Sequence, residues 1–367
     1  MQTSAQVAVN GYVGKAVGIS SFAAALNLNL GLLLLTLLHG AEVLRSSTAA
    51  GPPLRFLAWK SRPLLIHLCP GLLGLCYVVT SVFLQPVLGS GLFMVCIVAG
   101  QLASAAALDH LAGAARLQLP RAAALAAALG GAVATAWDRL AASSAESAPL
   151  WLLLLGSVLT FCAGALMVLQ AHLSRGAAAL LPSRLAAAWW SFAVSAGLSW
   201  VVFGGQAGAA AAAARAHFAE PATWAALPGW GWTAALYGVA YVCSSIVVPA
   251  AIGSGAYFVA LVCGQLLFAA VIDAAGLLGA AVRPLTATRG VGLAVVVLSA
   301  AAIQALLLRQ QRAEKEALAG VALTSDAATP LVGGAEPEGG GLELRKAPHS
   351  STDNLLAPIS NGGQAGV

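Results

Sequence analysis

Polar side chains face one another across a single spacing of 164 residues, and four such pairs have chemistry to offer: Gln101 with Gln265, Asp109 with Asp273, Tyr77 with Tyr241, and Asn27 with Ser191. An amide donates and accepts hydrogen bonds without carrying charge, so two glutamines on a shared cavity suit a neutral or zwitterionic solute better than a bare cation. The plainer alternative is interhelical bonding, worth about 0.6 kcal/mol per contact in membranes. Asp109 and Asp273 are the acids that recur at this spacing. They offer a proton or cation site, or else they cap a helix–loop junction or pair with a loop arginine. A hydrolytic dyad would need both acids within about 3 Å, sharing a proton. Tyr77 and Tyr241, with Ser81 and Ser245 one turn later, present hydroxyls either to a ligand or to neighbouring helices. Asn27 and Asn29 point to different faces of one helix, and Asn27 is the expected wall residue because Ser191 is its equivalent. No catalytic constellation, P-loop, CxxC or histidine ligand spacing occurs, so no catalytic residue, cofactor or metal is expected and direct ATP drive is unsupported.

The elements that must position these side chains are membrane spans. Of 367 residues 59% are hydrophobic and 8% charged, with a mean hydropathy of +0.86. Soluble domains carry about 25% charge. This composition excludes a water-soluble enzyme, a disordered protein and, despite a formal charge of +5, a nucleic-acid binder. Runs of about 20 apolar residues are long enough to cross a bilayer, and they fall near 20–42, 64–84, 88–110, 121–138, 150–172, 184–207, 229–250, 252–275 and 288–309. The runs lack the alternation of a barrel, so an all-α integral membrane protein is expected. Residues 208–226 read as a loop with some helix, 310–320 as a short helical extension, and 321–367 as a disordered tail. Eleven Lys and Arg residues on the side of loop 43–63, against five opposite, place that loop and the tail in the cytoplasm.

The 164-residue spacing is a duplication: 16 of the 38 positions 72–109 are identical at that offset, including Gly89-Ser90-Gly91 on Gly253-Ser254-Gly255 and Gly74 on Gly238. Each Gly-Ser-Gly opens a helix after a very short connection and is expected to form a tight turn, with helix amides aimed at an anion as the alternative. An odd number of spans per copy makes the copies inverted, as in secondary transporters. The expected organisation is a first repeat over 1–145, a second over 146–309, and a cytoplasmic tail over 310–367. The helix 150–172 has its equivalent at −14 to 8, so the chain is expected to begin inside its own first helix, giving nine full spans and a partial one. Inversion also separates Asp109 from Asp273 and opposes the dyad.

GSG-x9-Q in both copies, followed eight residues later by Asp109 or Asp273, resembles the drug/metabolite transporter superfamily, and its YdcZ-like branch most. The Gln6-x3-Asn10 pair, Pro284-Leu285 and Gly290/Gly292 fit that branch, while Ser174 stands where Asn10 would recur. The resemblance covers roughly residues 1–309 and implies a small-molecule exporter or permease. The expected function is a secondary transporter of small metabolites or drug-like solutes, with a non-transporting receptor or scaffold, or an intramembrane hydrolase, as alternatives. The expected partners are a small-molecule solute and the lipid bilayer, with a homodimer left open and no nucleic acid.

Overall fold

A computed structural model describes residues 2–48, 55, 59–62, 64–111, 119–142, 149–209, 212–252, 254–280 and 282–327. Among them the secondary structure is helical: α1 (Gln2–Val17), α2 (Ser20–Thr48), α3 (Pro70–Leu88), α4 (Ser90–Leu111), α5 (Leu119–Ala142), α6 (Leu150–Leu180), α7 (Arg184–Ala209), α8 (Ala212–Ala219), α9 (Pro221–Ala225), α10 (Ala234–Ile252), α11 (Ser254–Ala275) and α12 (Ala287–Ala327). Six helical stretches are long and apolar enough to cross a membrane, and shorter apolar stretches at 122–131, 260–275 and 287–303 lie within the other three expected spans. The chain is an all-α multi-pass membrane protein.

The two copies fold alike. Shifted by 164 residues, α3 falls on α10 and α4 on α11 end for end, α2 on α7, α5 on α12, and α1 on the C-terminal half of α6. Contacts follow the same exchange. Helix α6 packs on α3 and α4, as α1 packs on α10 and α11, so each repeat's first helix is embedded in the other repeat. The equivalent pairs α2/α7, α4/α11 and α5/α12 pack on each other across the axis of exchange.

Those pairs are antiparallel. Along the α2/α7 seam the Ser21 amide donates to Gln206 Oε1 (2.7 Å), Trp200 Nε1 to Asn29 Oδ1 (3.3 Å), Trp189 Nε1 to Thr36 Oγ1 (2.9 Å), and Ser183 Oγ to Glu42 Oε2 (2.7 Å). Residue numbers climb on one helix as they fall on the other. Equivalent helices therefore cross in opposite directions, and the repeats are inverted. One membrane face, here the Gly89 face, holds the α3–α4 turn, α8, α9 and the α11–α12 connection. The opposite Ser183 face holds the ends of α2, α4 and α6.

Several boundaries differ from expectation. The span expected from residue 64 starts at Pro70, preceded by a 3₁₀ turn over Leu65–Leu68, because proline's fixed φ suits the first helical turn. The stretch 208–226 contains α8 and α9, as a loop with some helix. Helix α12 is continuous to Ala327, so 321–327 is helical where a structureless tail was expected. The run Ala313-Glu314-Lys315-Glu316-Ala317-Leu318 is made of strong helix formers, which extend an already nucleated helix at no new nucleation cost. The rest of the expected tail, 328–367, lies outside the described residues.

Candidate functional site

Gln101 and Gln265 sit at the middle of α4 and α11, eleven residues from each helix start, and both are buried. Each faces the first helix of the other repeat. Gln101 Nε2 lies 3.6 Å from Met167 Sδ on α6, a weak acceptor. On α11 it is the Gln265 backbone carbonyl that accepts Ser4 Oγ of α1, at 2.6 Å. Met167 is the equivalent of Thr3, the neighbour of Ser4, so each glutamine-bearing helix meets the other repeat's first helix at the corresponding level. The tyrosines follow the same exchange. Tyr77 OH reaches the Thr3 carbonyl at 3.5 Å, while the Tyr241 hydroxyl, equally buried, has no partner among the described residues.

The next layer is also built twice. Gln170 Nε2 lies 3.4 Å from Ser191 Oγ and packs over Gly74, where a Cβ would stand 2.5 Å from the amide nitrogen. Its equivalent Gln6 packs over Gly238 in the same way, at 2.7 Å. The small residue in each case leaves room for an amide between helices. Asn27 and Asn29 part as expected: Asn29 bonds Trp200 and the Ala25 carbonyl, whereas Asn27 is buried. Asn27 and Asn10 line a cavity of about 10 Å³ with Val13, Leu30 and Trp232, room for about one water. That cavity does not touch Gln101 or Gln265, around which the helices are closed.

What unites this region is missing partners. Among the described residues, Thr3 Oγ1, Asn10 Nδ2, both amide atoms of Asn27 and of Gln265, Gln101 Oε1, Ser174 Oγ and the Tyr241 hydroxyl are buried without a hydrogen bond. Ser81 and Ser245, by contrast, donate to the carbonyls of Val78 and Val242 on their own helices. Thr3, Asn10 and Ser174, together with Gln6 and Gln170, belong to this polar interior although the reading of the sequence set them aside. The recurrence of Gln6 at Gln170 was the available signal for two of them.

Asp273 lies elsewhere, at the Gly89 face. Its Oδ2 accepts the Gly91 amide at 2.9 Å and Arg289 Nη2 at 2.8 Å. Gly89, at φ 80°, makes the one-residue turn that releases this amide from α3, and a Cβ on Gly91 would stand 2.8 Å from the carboxylate oxygen. The glycine element is thus a tight turn, and the anion at the helix N-terminus is the protein's own aspartate. Arg283, in the connection after α11, donates its backbone amide to the Asp273 carbonyl at 2.7 Å. Burial pushes its guanidinium below the usual value, with Arg289 adding to that and Asp273 opposing it. The side chain of Asp109 lies outside the described residues, but its helix position is 18 residues beyond Gly91, about 27 Å along α4. The two aspartates are at opposite faces and cannot share a proton.

A family model described as "Putative inner membrane exporter, YdcZ" matches the chain in two segments, residues 1–134 and 141–302, which follow the two repeats. No curated protein and no solved structure matches.

Proposed function

The chain belongs to the YdcZ family, described as a putative inner membrane exporter, and from that premise we propose that it moves a small neutral or zwitterionic solute by alternating access between its inverted repeats. The observation that supports this reading is the set of orphaned polar atoms between the repeats. A buried donor or acceptor without a partner costs about 1–3 kcal/mol, and a protein that needed only packing would fill these positions with Leu or Ala. Gln101, Gln265, Asn27, Ser191, Tyr77 and Tyr241, all buried, offer uncharged donors and acceptors from both repeats. A solute carrying hydroxyl, amide or amino-acid-like groups satisfies them, and a bare cation does not.

The orientation that follows from loop charge puts the Ser183 face and the end of α12 in the cytoplasm. Asp273 is committed to Gly91 and Arg289. Metabolite profiling of sealed vesicles with and without the protein tests the reading. A solute class should accumulate or disappear with the wild-type chain, and the Gln265→Leu protein, inserted at the same level, should lose that effect. Equal profiles for vesicles with and without the wild-type chain would end the transporter reading.

A further inference from the structure

We infer that Asp273 is the latch of a gate on the Gly89 face, holding the two repeats together there and releasing Gly91 when that face opens. The inference rests on the two-repeat transporter reading and concerns one of its two faces. The Asp273 carboxylate belongs to the second repeat, as does Arg289, while the amide it accepts belongs to the first. It is a charge-assisted bond to a helix N-terminus, where the unsatisfied amides and the helix dipole both favour an anion. Arg289 holds the carboxylate in place from the side, donating also to the Pro284 carbonyl at 3.3 Å. Asp273 is 1% exposed, so the contact is sealed from water in this closed arrangement.

Beneath the latch the seam is apolar and loosely filled. Val95, Leu266, Ala269, Ala270, Leu285 and Leu293 surround a cavity of about 20 Å³ bounded above by Gly91 and Arg289. Among the described residues, the Gly91 bond is the polar contact between α4 and α11 at this level. The sequence at the equivalent positions differs. The equivalent of Arg289 is Leu125, and the arginine of this stretch, Arg121, stands one helical turn earlier. The α2/α7 seam is also asymmetric, in the opposite sense. Its Ser183-face end is closed by Glu42 with Ser183, and its Gly89-face end by the neutral Gln206 on the Ser21 amide. The inverted repeats thus place different chemistry at equivalent ends of their seams.

The test uses the full chain with its six cysteines replaced and one reporter introduced: Val95→Cys beneath the latch, or Leu181→Cys, a buried position at the opposite face. The measurement is the rate of labelling by a membrane-impermeant maleimide in detergent. In Asp273→Ala the Val95→Cys reporter should label about ten-fold faster or more, the shift expected from losing one charge-assisted bond, while the Leu181→Cys reporter does not speed up. Arg289→Gln keeps the carboxylate on Gly91 and should give a smaller rise. A double exchange, Asp273→Arg with Arg289→Asp, restores the ion pair without an acceptor at position 273 and should label like Asp273→Ala. Unchanged labelling at Val95→Cys, faster labelling at both reporters, or protection regained in the double exchange would each overturn the latch. Failure here with solute movement intact removes the gate alone. A latch that behaves as described in a chain moving no solute removes the transporter reading alone.

Discussion

At the scale of single residues, the two central glutamines are where folding and function are expected to pull apart. Neither amide atom of Gln265 has a partner among the described residues, and Gln101 has only a thioether. Replacing Gln265 by Leu removes an unsatisfied amide worth about 1–3 kcal/mol and keeps a similar volume. The Gln265→Leu protein should therefore melt at the wild-type temperature or above it while its transport falls. A lower melting temperature with unchanged transport would make the amide a packing group. Gln101 and Gln265 were legible in the sequence because both position and residue type repeat. Thr3 was not, because its equivalent is Met167: the place is shared and the chemistry is not. Arg289 escaped as the specific partner of Asp273 for the same reason, its equivalent being Leu125. Recurrence finds what two copies have in common and passes over what makes their faces differ.

At the scale of helices, close approach is set by glycines, and what each one meets determines how much a methyl group costs. Lipid gives helices no hydrophobic reason to associate, so tight van der Waals packing through small residues carries much of the load. Gly100 on α4 packs against the Phe161 carbonyl of α6, and a Cβ there would also stand 3.0 Å from the Ala165 amide nitrogen. That is backbone, which cannot rotate aside, so Gly100→Ala must push two helices apart. Gly74 meets only the flexible end of Gln170, which can swing away at the loss of its 3.4 Å contact with Ser191. Overpacking costs about 1–3 kcal/mol. Gly100→Ala should lie at the upper end and Gly74→Ala at the lower, and thermal melts in detergent that reverse this order would refute the argument. Ser183 gives a second check. Its Oγ donates to Glu42 and accepts the Ala186 amide, at 3.1 Å, at the start of α7. Ser183→Ala should cost about 1 kcal/mol, the usual worth of a helix N-cap, whereas Glu42→Gln, the residue type already present at its equivalent Gln206, should cost little. The spans themselves were legible because apolar length is a direct physical requirement of the bilayer. Their ends were less so, since Pro70 moves one start and a run of helix formers carries α12 on to Ala327.

At the scale of the whole molecule, inversion explains how one ancestral unit supplies two gates and one central site. Exchange of the repeats sends midplane residues to midplane residues, which is why Gln101 and Gln265 meet the opposite first helices at the same depth. It sends everything at a face to the other face, which is why positions 273 and 109 lie on different sides. Ser21 with Gln206, Asn29 with Trp200, Thr36 with Trp189 and Glu42 with Ser183 trace this antiparallel relation from one face to the other. The relation has a consequence that needs no substrate to test. Leu278, in the 3₁₀ turn between α11 and α12, has Ala114 as its equivalent in the connection between α4 and α5. Cysteines placed singly at 278 and 114, in a chain otherwise free of them, should react with an impermeant maleimide from opposite sides of sealed vesicles. The excess of Lys and Arg on the Ser183 face further predicts that position 114 labels from the cytoplasmic side and position 278 from the other. Labelling of both from the same side would mean parallel copies, and the exchange of equivalent helices, the central placement of the glutamines and the opposed gates would fall together.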